Sequence, residues 1–62
     1  MDADAVIARA VEVFGSAEKA RGWLNDPNLL LADATPGSLL STPEGVQRVL
    51  TVLGRIEYGV FS

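Results

Sequence analysis

The sequence predicts an all-α fold, a small bundle of about four helices, and three observations support this prediction. Apolar residues recur at helical spacing, and no segment alternates between apolar and polar residues as a half-buried strand does. Helix start and stop signals divide the chain into short segments. The chain has 62 residues, of which 48% are hydrophobic. A chain of this length forms one domain and buries only about 60% of its unfolded surface, so the core is thin.

Two short helices are predicted in the N-terminal part of the chain. Asp4 is placed to cap the first helix, and Gly15 stands where a left-handed residue ends it. Its apolar face comprises Val6, Ile7, Ala10, Val11 and Phe14. Ser16 caps the second helix, and Pro27 stops it because proline cannot continue a helix. Ala20, Trp23 and Leu24 face inward, and we expect Trp23 to lock this helix onto the C-terminal one.

A leucine-rich connector follows, over residues 28–34. Leu29, Leu30 and Leu31 are adjacent, and three exposed leucines would form an apolar patch in water. We therefore expect the connector to pack onto the domain as a buried loop or a single turn.

Two matching helix starts come next. Thr35-Pro36 and Thr42-Pro43 each place an N-cap residue before a proline at the first helical position, where the missing N–H is tolerated. They predict a short third helix that ends near Leu40 and a long fourth helix from residue 43 to about Tyr58, closed by Gly59.

The apolar arc of the fourth helix is wider than one packed face requires. Its members spread over about half of the helical circumference, whereas packing on one side needs a stripe of about 100°. They are Val46, Val49, Leu50, Val52, Leu53, Ile56 and Val60. The excess predicts a partner, and a homodimer is one possibility. Gly45 lies in the first turn, where glycine costs little, but Gly54 lies in the middle and costs up to ~1 kcal/mol. We expect the first helix or a second subunit to approach Gly54 closely.

Composition excludes several classes of function. There is no cysteine or histidine, which removes disulfides, thiol and imidazole catalysis and the usual zinc sites. The net charge is −3, and the five basic residues are scattered, so this domain alone is not expected to bind nucleic acid. An acidic balance better suits a basic protein partner. The chain has no apolar run of membrane-spanning length and no basic leader, so we expect a cytoplasmic location and no membrane contact. Neither the serines nor Asp2-x-Asp4 form a catalytic or metal site, so we expect no enzyme.

At this point a set of short motifs, in order and separation, resembles the toxin-binding domain of Xre/MbcA/ParS-type antitoxins. The motifs are Trp23-Leu24, Pro27-Asn28, Thr35-Pro36, Leu39-Leu40, Thr42, Gly45, Val49, Leu53 and Arg55-Ile56-Glu57-Tyr58-Gly59-Val60. The resemblance runs from Phe14-Gly15 to the end of the chain. Two departures stand out. Ala32-Asp33 occupy positions where the family commonly has glycine, and Gly37 replaces an apolar residue.

The resemblance implies that residues 1–62 form one antitoxin domain. It also implies a binding function that needs no cofactor. Family members neutralise a RES-domain toxin that consumes NAD or transfers ADP-ribose from it, and they occlude its active-site cleft partly with their C-terminal end. In many members a helix-turn-helix domain precedes this one and binds DNA. Since no such domain fits into 62 residues, the chain is expected to be an isolated domain or an antitoxin without the DNA-binding part. The alternative is a dimerisation or effector module of a transcriptional regulator.

The expected toxin-binding residues lie at the C-terminal end of the chain. They are Arg55, Glu57, Tyr58, Val60, Phe61 and Ser62. Past Gly59 the chain can leave the helix, so that the apolar pair enters a cleft and the terminal carboxylate meets a basic NAD-phosphate site. Alternatively, Phe61 folds back onto Leu50 and Leu53 as ordinary core.

Two of these residues allow a second interpretation. Glu57 falls inside the apolar arc near the helix C-terminus, where the dipole disfavours an anion. We expect a salt bridge to Arg21 or to an arginine of the toxin, the alternative being a solvated side chain in a frayed last turn. Arg55 lies on the polar face and is either a contact residue or solvated surface. Unlike Arg48, which has Glu44 one turn earlier, Arg55 has no acidic partner on its own helix.

Overall fold

The computed structural model describes residues 3–59 and contains no strand within that range. It has three α-helices, α1 (Ala3–Phe14), α2 (Ala17–Asn25) and α3 (Pro43–Tyr58), and two 3-10 helices, Leu29–Leu31 and Pro36–Ser41. The all-α prediction is confirmed, and the predicted short third helix is the second 3-10 helix. None of the described helices has the length and apolar character needed to cross a bilayer.

Three side-chain caps fix where the helices begin, as the sequence predicted. Ser16, Thr35 and Thr42 each accept a hydrogen bond from the backbone N–H three residues later, at 3.1, 3.3 and 3.0 Å. Losing such a cap typically costs ~1 kcal/mol. The first helix differs from the prediction, because it already includes Ala3. Asp4 therefore lies in the first turn, where its charge complements the helix dipole, and does not cap the helix.

The core is built on one face of α3. The buried apolar residues are Val6, Ala10, Ala20, Leu24, Leu31, Val46, Val49, Val52 and Leu53. Helix α1 and the second 3-10 helix cover α3, while α2 packs on α1 and on the second 3-10 helix. Trp23 contacts Phe14 with a ring-centroid distance of 5.5 Å and an interplanar angle of 42°. This aromatic contact ties α2 to the end of α1, and Trp23 also packs, partly buried, against the core cluster. That Trp23 locks α2 onto the C-terminal helix stays a prediction.

Two glycines allow the second 3-10 helix to lie against its neighbours. A Cβ atom at Gly45 would lie 1.8 Å from the carbonyl oxygen of Leu39, so Gly45 is a steric requirement and not the low-cost residue that the sequence indicated. A Cβ atom at Gly37 would lie 3.0 Å from the carbonyl oxygen of Leu24. The glycine at position 37 therefore permits close contact between the 3-10 helix and the C-terminal end of α2.

The connector is only partly buried. Leu31 is 3% exposed, but Leu29 is 87% and Leu30 61% exposed, so the prediction that all three leucines pack onto the domain is wrong. The reason is the 3-10 turn itself, which has three residues per turn and directs consecutive side chains about 120° apart. Only one of three adjacent leucines can then face the core.

Local hydrogen bonds hold this turn. The Asn28 side-chain oxygen accepts from the Leu30 N–H at 2.8 Å, and the Asn28 N–H donates to the Ala34 carbonyl at 3.1 Å. Ala32 and Asp33 have φ values of 57° and 66°, in the left-handed region. Glycine is the residue that adopts this conformation without a Cβ penalty.

Candidate partner-binding surface

The last turn of α3 is attached to α1 by charge. The Arg9 guanidinium donates to the carboxylate of Glu57 and, at 3.3 Å, to that of Glu12. The side chains of Arg9 and Glu57 are 37% and 30% exposed. The prediction of an arginine partner for Glu57 is confirmed, but within residues 3–59 that partner is Arg9 and not Arg21. A contact between Glu57 and an arginine of the toxin stays a prediction. Glu57 is not left to solvent in a frayed turn. The pairing depends on how α1 crosses α3, which brings together residues 48 positions apart.

Arg9 is the fixed positive centre of this cluster. The hydrogen bond to Glu12 and then the charge of Glu57 raise the pKa of Arg9 above its ordinary value, with a smaller contribution from Tyr58. An arginine side chain is protonated at every pH at which proteins are folded, so this cation does not titrate away. Through Glu57 this cation attaches the last turn of α3 to α1.

Gly59, the last described residue, caps α3. Gly59 adopts φ 62° and ψ 55°, and its N–H donates to the carbonyl oxygen of Arg55, as expected for a left-handed C-cap. Tyr58, immediately before it, is 75% exposed. The expected contact residues Val60, Phe61 and Ser62 lie outside the described residues. Whether they enter a cleft, or Phe61 packs on the core, stays a prediction.

A second feature is an open groove of about 300 Å³ between the first 3-10 helix and α3. It is lined by Leu30, Leu31, Gln47, Arg48, Thr51, Val52 and Arg55. The polar face predicted for α3 thus forms one wall. Glu44 and Arg48 do not form the expected i,i+4 ion pair, and neither Arg48 nor Arg55 makes a salt bridge within residues 3–59. Both arginines are exposed.

The structure separates the predicted site residues into two directions. Arg55 faces the groove together with Leu30, whereas Glu57 faces α1 and pairs with Arg9. Sequence reasoning missed Arg9 and the two exposed leucines. The leucine run was visible in the sequence, but its apolar character was assigned to the core.

In the described part of the chain, little of the wide apolar arc predicted for α3 remains exposed. Four of its members, Val46, Val49, Val52 and Leu53, are buried, and Ile56 remains 39% exposed. No atom from another described part of the chain lies within 4 Å of a Cβ atom built on Gly54. The first helix therefore does not approach Gly54 closely, and a contact there with a second subunit stays a prediction.

Comparison with known proteins identifies a family for this chain. The family described as "Antitoxin Xre/MbcA/ParS C-terminal toxin-binding domain" matches residues 9–59. The chain is 41% identical to "Antitoxin Xre" of Yersinia enterocolitica and 40% identical to that of Photorhabdus laumondii, each over 58 residues. These matches cover 92% of this chain and 39% of each relative. "Antitoxin Xre" of Pseudomonas putida is 37% identical over 54 residues, covering 87% of this chain and 34% of the relative.

This chain thus spans about two fifths of the length of the Yersinia and Photorhabdus relatives. No solved structure matches it. The family match nevertheless includes the second half of α1, all of α2 and α3, the leucine connector and the Gly59 cap. The chain therefore belongs to the family of Xre/MbcA/ParS antitoxin C-terminal toxin-binding domains.

Proposed function

We propose that this chain is the toxin-binding part of an antitoxin and neutralises a RES-domain toxin that consumes NAD or transfers ADP-ribose from it. The observation that carries the proposal is the end of α3. Gly59 turns the chain out of the helix in the left-handed conformation, next to an exposed Tyr58. We infer that the residues after this cap reach a neighbouring molecule. The relatives' printed name, antitoxin, supports the same role.

In this proposal the inhibition is steric. Three residues follow Gly59, and an extended chain of three residues spans about 10 Å, enough to enter an active-site cleft. Val60 and Phe61 supply apolar surface to bury there, and buried aromatic side chains often dominate the energy of an interface. The antitoxin thereby excludes NAD without any chemistry of its own.

Glu57 serves this mechanism as a positioning residue. Its bridge to Arg9 attaches the last turn of α3 to α1 and so fixes the point at which the terminal segment leaves the domain. Tyr58 and Arg55 remain available for direct contact, because both are exposed.

The test is growth and intracellular NAD in cells that express the RES-domain protein encoded beside this chain. The chain is supplied complete, truncated after Gly59, or not at all. Rescue by the complete chain that fails on truncation would support occlusion by residues 60–62. Rescue by both versions would keep the antitoxin and move the inhibition to the helical faces. Absence of both rescue and co-purification would refute the proposal.

A second candidate function is a dimerisation or effector module of a transcriptional regulator. The open space above Gly54 favours it, because a glycine in the middle of a helix lets a second helix approach closely. Sedimentation equilibrium of the wild type and Gly54→Leu decides the matter. A wild-type dimer that Gly54→Leu dissociates, combined with no effect on the toxin, would favour this function over the first.

A further inference from the structure

We propose that the toxin contact extends beyond the C-terminal end to the groove between the first 3-10 helix and α3. We call this surface the leucine–arginine groove. It comprises Leu30, Arg48 and Arg55, which line the groove, and Leu29, the exposed residue next to Leu30. The structure assigns it to an apolar segment of the toxin that carries a carboxylate. The inference rests on the proposed function and names a second area of the same interface.

The apolar side of the groove is held outward by the backbone. Leu29 and Leu30 are 87% and 61% exposed, although Leu31, the third residue of the same turn, faces the core. Ala32 and Asp33 keep the turn closed in left-handed conformations that are unfavourable for residues with a Cβ atom. Strained backbone of this kind persists when the surrounding structure fixes it, and it clusters at functional sites. Two adjacent leucines in solvent are the visible result.

The charged side of the groove opposes the overall charge of the chain. The chain carries −3, yet Arg48 and Arg55 line the groove and no carboxylate does. Neither arginine forms a salt bridge in the described part of the chain. The two are seven positions apart on α3, which corresponds to about 10 Å along the axis. Arginine binds a carboxylate through two parallel N–H groups, so this wall suits an acidic segment.

The charge also argues against a second copy of this chain as the occupant. In a two-fold dimer the same patch meets itself, so the arginines of one groove would face those of the other. The toxin, by contrast, already approaches this end of the molecule in the proposed function. Arg55 belongs to the groove and is one helical turn from Gly59, so one partner can contact both areas at once.

The experiment measures the affinity of the full chain for the purified RES-domain protein encoded beside it. The variants are Leu29→Ser/Leu30→Ser and Arg48→Glu, and each is expected to weaken binding at least about tenfold. Their melting temperatures should match the wild type, because the altered side chains are exposed. High salt should weaken toxin binding by the wild type more than by Arg48→Glu. The reason is that salt screens the attractive charge pair, which only the wild type forms.

Two matched controls lie outside the groove. Ile7→Ser replaces an apolar residue of α1 that is 40% exposed, and Arg21→Glu reverses an exposed arginine of α2. Both are expected to stay within about twofold of the wild-type affinity, as surface changes outside an interface do.

The possible outcomes separate the two proposals. Wild-type affinity in both groove variants, with binding lost on truncation after Gly59, overturns this inference and leaves the proposed function intact. Groove variants that dissociate a homodimer without changing toxin affinity also overturn it, in favour of a second copy. If the wild type itself does not bind the toxin, both the proposed function and this inference are wrong. Loss of affinity in the groove variants but not in the controls supports it.

Discussion

At the scale of single residues, Gly45 shows how a backbone contact decides which amino acid a position accepts. It is the N-cap partner of Thr42 and lies directly against the carbonyl of Leu39. A carbonyl held within the second 3-10 helix cannot move aside as a flexible side chain can. The intrinsic helix propensity of glycine is therefore irrelevant here, because sterics outweigh it.

Replacing Gly45 by alanine should destabilise the domain by at least about 2 kcal/mol, since the added methyl group overlaps backbone. Typical stability per residue gives this chain only roughly 3 to 9 kcal/mol in total, so the loss is large. Urea denaturation followed by circular dichroism measures it. Gly22→Ala on α2 is the matched control, because a Cβ atom there meets nothing within 4 Å. It should leave the domain unchanged or stabilise it, and equal effects of the two changes would refute the steric argument.

Ala32 presents the opposite case, an alanine where glycine is preferred. Its φ of 57° is energetically unfavourable for a residue with a Cβ atom, whereas glycine adopts this conformation without that cost. Ala32→Gly should therefore stabilise the domain by up to about 1 kcal/mol, once the greater freedom of glycine in the unfolded chain is subtracted. Thermal denaturation measures the change. The same substitution at Ala8, exposed within α1, should destabilise by about 1 kcal/mol, so two shifts of the same sign would contradict this explanation.

At the scale of elements, local signals predicted the helices well because their causes are local. Thr42 and Pro43 begin α3, and Gly59 ends it, by contacts within one turn. The sequence could not reveal which leucine of the connector faces inward, because that depends on a 3-10 turn and not on apolar character. Nor could it name the partner of Glu57, since the pairing with Arg9 exists only once α1 has packed across α3.

The bridge between α1 and α3 permits a charge exchange. Glu57→Arg should weaken toxin binding by up to about fivefold, because two arginines now repel and the exit of the terminal segment shifts. The double variant Arg9→Glu/Glu57→Arg should restore most of the affinity, although Glu12 then opposes the new carboxylate. Titration calorimetry with the toxin measures both. No recovery in the double variant would mean that Glu57 contacts the toxin directly and does not position the chain.

At the scale of the whole molecule, the domain is small enough that its partner should contribute to its stability. The core has nine buried apolar residues in the described part of the chain, four of them on α3. The candidate surface lies on the same helix as that core. Sequence patterns identified the family and predicted a C-terminal contact area, whereas the groove required the fold, because its two walls come from separate elements.

A toxin that binds only the folded state of the antitoxin domain must raise the domain's melting temperature. At a free toxin concentration 100 times the Kd, the added stability is about 2.7 kcal/mol. For a domain of this size each kcal/mol raises Tm by about 4 to 8 °C, so a shift of at least about 10 °C is expected. Hydrogen exchange resolved by segment locates the contact area, at labelling times short enough that amides exchange by local opening and not by global unfolding. Protection should rise in α3 and in residues 28–34, while protection that rises only at the C-terminal end of α3 would limit the interface to the terminal segment and contradict binding in the leucine–arginine groove.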